Sequence, residues 1–382
     1  GGGARPRRMS GPVVAWRGPL LDGSGYADEG RAMVRALAAM GVDLRLDDPP
    51  PWGSHQPRLS DEDRRMLGAL PRREGPADVS VQHCFPPLAD LYSPAGARVL
   101  RTMFETDRIA REWVKRCNAV DEVWVPTRHN LEAFARSGVD RGRLHLVPSP
   151  IEIGRYAPAT PALEIPEAHG TVFLSVFDWS RRKGWDVLLA AWADAMRADD
   201  DACLVLKVWR GADRDAQAYL DGLVAWAAGR GLDPDDLADV IVLDEPLSPD
   251  QMVALYAACD VVVSATRGEG WGRPLVEGMA MGKPVIATDW SGPSEFLDAA
   301  CGWPVPAQVV DVPPSAWEEL PGFRGHRWAE PDVGALAAAM REAADDAPGR
   351  RRRGRAARER AERYSAERVA DVIAGRIAAL AR

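Results

Sequence analysis

Residues 264–295 read SATRGEGWGRPLVEGMAMGKPVIATDWSGPSE. The run Val261-Val262-Val263 before them is apolar throughout, so it predicts a buried strand ending at the glycine-broken loop Gly268-Glu269-Gly270-Trp271-Gly272. A helix is expected next: Pro274 suits its first position, Glu277 its first turn and Gly282 its end. Pro284-Val285-Ile286-Ala287 then returns as a second apolar strand. The unit is β-loop-α-β, with its functional groups at a strand's carboxyl end, where open α/β sheets take ligands.

The chemistry of that loop points to an anion. Glycines let a ligand approach the backbone closely, and the free amides and dipole of a helix start favour negative charge. The carboxylates Glu269 and Glu277 only accept hydrogen bonds when ionised, which suits paired sugar hydroxyls. A diphosphate flanked by two diols describes a nucleotide sugar. On physics alone, the same two carboxylates serve equally well as solvated loop and helix residues.

The spacing Glu269-x7-Glu277, within EGWGRPLVEGMAMGKPVIATD, resembles the E-x7-E signature of retaining glycosyltransferases of the GT-B fold, family GT4. The resemblance implies that Glu269 meets the donor sugar hydroxyls and Glu277 the ribose. It implies that backbone amides of Gly270, Trp271, Gly272 and Arg273 face the sugar, and those near Pro274 and Leu275 the diphosphate. The family commonly has Phe at the place of Trp271 and Ala at that of Gly278. The fold it implies is α/β: two Rossmann-like, doubly wound parallel-sheet domains facing a central cleft.

A chain of 382 residues is long enough for two such domains. Its net charge of −8 argues against a protein that holds nucleic acid by its overall field. No apolar run approaches the length of a membrane span, which leaves only peripheral membrane contact open. The start, GGGARPRRMSG, lacks the apolar core of a secretory signal and is expected to be a frayed end. Cys84, Cys117, Cys203, Cys259 and Cys301 show no paired spacing, so reduced thiols in a cytoplasmic protein are expected, with neither disulfide frame nor zinc site. No clustered Asp or His marks any other metal, and no cofactor is expected beyond the nucleotide sugar as co-substrate. The sequence does not choose an oligomeric state.

The first half alternates strands with helices from Pro12-Val13-Val14-Ala15-Trp16 to Leu144-His145-Leu146-Val147. Its first strand leads to the glycine loop Gly23-Ser24-Gly25, which lacks a full dinucleotide fingerprint because Asp28 stands where a third glycine belongs. The resemblance places that loop across the cleft from the donor phosphates. A proline-rich loop is read at Pro49-Pro50-Pro51 and a polar helix near Ser60 to Leu70. Strand ends present His83, Glu105, Asp107, Arg108 and Thr127 to the cleft. The family often places a histidine near the reacting sugar. Glu105 stands where it is sought, so His83 is the histidine candidate, with Glu105, Asp107 and Arg108 assigned to the acceptor.

Pro148 to Pro166 is expected to link the domains, dividing the chain into residues 1–160 on the acceptor side and 161–364 on the donor side. In the second half, Arg181-Arg182-Lys183-Gly184 follows the strand Thr171 to Val176 and brings positive charge beside the proposed diphosphate. Lys183-Gly184 matches the family's Lys-Gly pair. Asp178 stands where the family has an earlier basic residue, so Arg181 or Arg182 has to supply that charge. Lys207 and Arg210 are further cleft candidates, and the resemblance puts the nucleobase near Glu245 to Leu247. A helix is read over Ala212 to Ala228, and Val309 to Glu330 is expected to be an irregular surface insertion. The final amphipathic helix, within 365–382, is expected to cross back onto the first domain. A nucleotide-sugar epimerase or phosphorylase, and a non-catalytic sugar-nucleotide-binding protein, are the competing readings.

Overall fold

The computed structural model describes residues 11–47, 59–209, 216–231, 233, 236–319 and 321–382. The expected loop at Pro49-Pro50-Pro51, the start of the helix expected at Ala212, and Arg210 lie outside the described residues. Among the described residues no helix is long and apolar enough to cross a membrane.

The first sheet contains β1 (Val13–Arg17), β2 (Asp43–Asp47), β3 (Ala77–His83), β4 (Ala95–Arg101), β5 (Glu122–Val125) and β6 (Leu144–Leu146). The order is β2-β1-β3-β4-β5-β6, all parallel. The second contains β7 (Thr171–Asp178), β8 (Ala202–Trp209), β9 (Val240–Leu243), β10 (Val261–Ser264), β11 (Val285–Thr288) and β12 (Gly302–Val305). It runs β12-β11-β10-β7-β8-β9, again parallel. Each order reverses at one place, between β1 and β3 and between β7 and β10, and a crevice opens there at the carboxyl ends. Lys183 and Glu269 follow β7 and β10, so the chain's order alone delivers them to the second crevice.

The helices form for local reasons. Ser24 caps Gly25–Ala39 by accepting from the Ala27 amide, Thr127 caps Arg128–Ser137, and Ser248 with Gln251 forms a capping box on Pro249–Ala258. Helix Arg273–Ala280 carries Pro274 in its first turn, and Gly282 follows its end with a φ of +80°. A Cβ at Gly278 would lie 2.5 Å from Val262 Cγ2, so glycine sets how closely this helix lies on β10.

Two segments depart from the sequence reading. From Ile151 onward the supposed linker already packs into the second domain: Ile151, Tyr156 and Ile165 are buried with Leu174, Tyr256 and Val262. The stretch expected as a surface insertion is instead an arm built on the antiparallel pair β13 (Ala307–Asp311) and β14 (Arg327–Pro331). Its Val312, Ala316, Phe323 and Trp328 are buried in the first domain's core beside Phe104, Trp113 and Phe134. The expectation failed because the arm buries apolar side chains that are widely spaced along it, against partners more than 170 residues away in sequence. The last helix, Ala366–Leu380, lays Val369, Ala370, Ile373 and Ile377 into the first domain's other core cluster, with Val14, Trp16 and Met33.

Candidate active site

The second crevice gathers opposite charges. The Lys183 ammonium stands 2.7 Å from Glu269 Oε1 and 3.7 Å from Asp178, while Arg182 stands 3.3 Å from Glu269 Oε2. These groups are nearly buried, with side-chain exposures of 11% for Lys183, 13% for Glu269 and 15% for Arg182. Burial works to raise the Glu269 pKa, but Lys183 and Arg182 outweigh it and hold the carboxyl below its usual range. The backbone of Glu269 is pinned as well: its amide donates to Ser291 Oγ at 3.0 Å and its carbonyl accepts from Gly292 N at 3.0 Å. Ser291 holds a φ of +59°, an unusual conformation for a residue other than glycine.

The glycines here are required by close approach. At Gly184 (φ +66°) a Cβ would lie 1.9 Å from the Ala265 carbonyl oxygen, and at Gly268 one would lie 2.2 Å from that of Glu105. At Gly270 it would meet Met103 Sδ at 2.5 Å. Thus the loop presses against residues 103–105 of the first domain. Asn130 joins the same contact: its Oδ1 accepts from Phe104 N at 2.7 Å, and its Nδ2 donates to Gly270 O at 3.3 Å.

Glu277 lies in the helix that opens at Arg273. Arg273 donates to its Oε1 at 3.1 Å and Tyr256 to its Oε2 at 2.9 Å, while burial pushes its pKa up. Arg273 also meets the first domain, since a Cβ at Gly25 would lie 3.7 Å from its Cδ. Gly23, Ser24 and Gly25 are exposed on that side. Glu269, Gly272, Pro274 and Leu275 share a small recess with Val176 and Ser264. The Trp271 side chain is turned into the core on Phe296 and Tyr364, so at that position only the backbone is available to a sugar. Leu247 packs at the edge of the second domain's core.

Of the two arginines proposed beside Lys183, the structure brings Arg182 into the cluster. Arg181 has an exposed side chain and joins through its backbone, donating to Glu319 and accepting from Arg267. Glu105 sits 3.9 Å from Arg182 with its Oε2 buried and without a hydrogen-bond partner, and burial raises its pKa. Asp107 pairs with Arg108 at 3.0 Å and accepts from Arg327 N of the arm at 2.7 Å, so both residues belong to a domain contact.

His83, expected near the reacting sugar, is wholly buried against Tyr26 and the backbone at Gly18. Its Nε2 is 2.7 Å from Glu29 Oε2, and Glu29 in turn holds Arg101 at 2.6 Å. Burial depresses the histidine pKa. Sequence reasoning missed Glu29, Arg101, Asn130, Tyr256, Arg267 and Ser291. Position on a helix or at a strand end was the only local signal for them, because their partners are distant in sequence. Arg267 bridges Asp186 and Glu330 of the arm, at 2.9 and 2.7 Å.

Two doubly wound lobes meeting at their carboxyl edges, with a cation pair beside a helix tip, define a protein of the GT-B class. Residues 168–320 match the family described as Glycosyl transferases group 1. Over that stretch, which holds the Lys183 and Glu269 cluster, the chain is similar to that family. It is 29% identical over 170 residues to D-inositol 3-phosphate glycosyltransferase of Nocardia farcinica, covering 43% of this chain and 37% of the relative. It is 27% identical over 161 residues to mannosylfructose-phosphate synthase of Agrobacterium fabrum, covering 41% and 34%. The chain therefore spans little more than a third of the length of these curated relatives. Two solved structures share the fold along nearly the whole chain. Anabaena HepE in complex with UDP and glucose gives a TM-score of 0.66 at 15% identity, covering 96% of this chain and 100% of that one. Sucrose-phosphate synthase of Thermosynechococcus elongatus gives 0.66 at 17%, covering 94% and 97%.

Proposed function

We propose that the protein moves a hexosyl group from a UDP- or GDP-sugar to an acceptor hydroxyl on a glycan, lipid carrier or secondary metabolite, with retention of anomeric configuration. The observation that carries this reading is the Lys183, Arg182 and Glu269 cluster at the topological switch point, beside the tip of helix Arg273–Ala280. Lys183, Arg182 and the helix amides would take the leaving diphosphate, supplying positive charge where negative charge develops as the C1–O bond breaks. The acceptor oxygen would bond to C1 on the face the diphosphate leaves, and its proton would pass to the departing phosphate oxygen. Glu269, held anionic by its two cations, would position sugar hydroxyls, and Glu277 would take the ribose. A UDP donor is supported by the UDP and glucose bound in the Anabaena neighbour. The relatives' names mention inositol and sugar phosphates, but the family match covers the donor side and leaves the acceptor side uncovered.

The test is a thermal-shift panel of UDP-, GDP- and ADP-sugars. A donor at 100 times its Kd stabilises by about 2.7 kcal/mol, a rise of several degrees. One donor class should shift the wild type, release its diphosphate in the presence of chelator, and lose its effect in Glu277→Ala. A flat panel, or release that stops on adding chelator, sinks the reading.

A further inference from the structure

We propose that Arg267 is a positioning residue: it holds the turn Arg181–Lys183 in the shape that grips the donor's diphosphate, and the arm supplies a carboxylate that holds Arg267. The proposal rests on the donor reading above and adds to it a residue that acts through its neighbours.

The turn cannot fix its own shape. It spans three residues and closes through two backbone hydrogen bonds, Lys183 N to Ser180 O and Gly184 N to Arg181 O, both 3.1 Å. So short a 3-10 turn is weakly held and takes its conformation from what surrounds it. Arg267 is that surrounding. A guanidinium carries five N–H donors in a rigid fork, and Arg267 commits all of them. Its Nη1 donates to Arg181 O at 2.6 Å and Asp186 Oδ1 at 2.9 Å, and its Nη2 to Asp186 Oδ2 at 2.9 Å and Glu330 Oε1 at 2.7 Å. Nε donates to Glu330 Oε2 at 2.7 Å. The main chain adds a contact, since Arg267 N donates to Arg182 O at 2.7 Å. Lys183 is thus braced on both flanks, at the carbonyls of Arg181 and Arg182 before it and after it at Asp186, in the first turn of helix Trp185–Ala195. Arg267 also directly precedes Gly268 and Glu269, so one residue sets the turn and the glycine loop relative to each other.

The side chain of Arg267 is 7% exposed, and two carboxylates neutralise its charge. It has no donor left for a phosphate, so its part is to hold the backbone that carries Lys183 and Arg182. The arm completes the brace. Besides Glu330, its Ala329 N donates to Arg267 O at 3.0 Å, its Glu319 accepts from Arg181 N at 2.8 Å, and its Trp328 ring centroid lies 5.5 Å from Arg267 Cζ. Trp328 is at the same time buried in the first domain's core beside Phe104. The grip on the diphosphate therefore depends on an element seated in the opposite lobe.

The probe is the full chain titrated calorimetrically with UDP and with UMP, or with GDP and GMP if the guanine donor is the one that raises the melting temperature. UMP lacks the terminal phosphate, so the ratio of the two affinities reads the grip on that phosphate. Glu330→Gln leaves the Asp186 pair in place at a side chain 39% exposed and should fold, while Arg267→Lys keeps the charge and loses the fork. Each should lower the UDP affinity about 10-fold, the worth of one charged hydrogen bond, with UMP held within about 2-fold. Ile373→Ala, a change in the first domain's other core cluster, should lower the melting temperature and leave the ratio as in the wild type. Equal weakening of UDP and UMP, an unchanged ratio in Glu330→Gln, or a ratio that falls as far in Ile373→Ala would overturn the proposal. A wild type that binds neither diphosphate removes the donor reading itself, whereas one that binds UDP at a ratio the brace variants do not alter removes only this inference.

Discussion

At the scale of single residues, the nearly buried Lys183–Glu269 pair couples binding to stability. Removing one member leaves its partner poorly compensated at a typical cost of about 3–5 kcal/mol. Lys183→Ala should therefore lower the melting temperature as well as donor affinity, and adding Glu269→Ala should restore part of the temperature but none of the affinity. A single variant as stable as wild type would show that Arg182 compensates alone. The Glu29 carboxyl gives a pH test. Burial raises its pKa, but Arg101 and His83 override that and hold it far below the usual carboxylate range. A depressed pKa contributes stability above the unfolded value, near pH 4.3, that is lost as pH falls toward the folded one. Glu29→Gln should cost about 3–5 kcal/mol at neutral pH, with the deficit shrinking in acid, as read from denaturant melts across pH. A deficit independent of pH would point to packing alone.

Among the elements, the loop between β10 and its helix is shaped by contact with the other lobe. Gly268→Ala would drive a methyl into the Glu105 carbonyl, backbone that cannot swing aside. The loop must shift, and a displacement of about 1 Å near reacting groups can cost 100-fold in rate. Turnover should fall by about that factor while the circular dichroism spectrum stays that of a folded chain, and unaltered turnover would refute the constraint. The helix and strand framing this loop were legible because proline, glycine and an apolar run punctuate them locally. Arg182 could not be told from Arg181 beforehand, since only the turn Arg181–Lys183 decides which guanidinium faces Glu269. Nor was Asn130 legible, since its partner Gly270 lies 140 residues away. The arm escaped notice for the same reason, its burial being supplied by the first lobe rather than by its own pattern.

For the whole molecule, the final helix belongs structurally to the lobe the chain began with. Ile373 is fully buried in that lobe's core, and Ile373→Ala should cost about 2–5 kcal/mol. Hydrogen exchange should accelerate first in β1 and β3, and faster exchange confined to the second sheet would contradict the docking. The arm makes a reciprocal graft, since its Phe323 and Trp328 fill a space around Phe104 that the first lobe leaves open. Anyone building a hybrid enzyme by fusing this N-terminal half to a foreign donor half should therefore transplant residues 307–331 and 366–380 along with it, because a cut at the apparent midpoint would strip the borrowed half of part of its own interior.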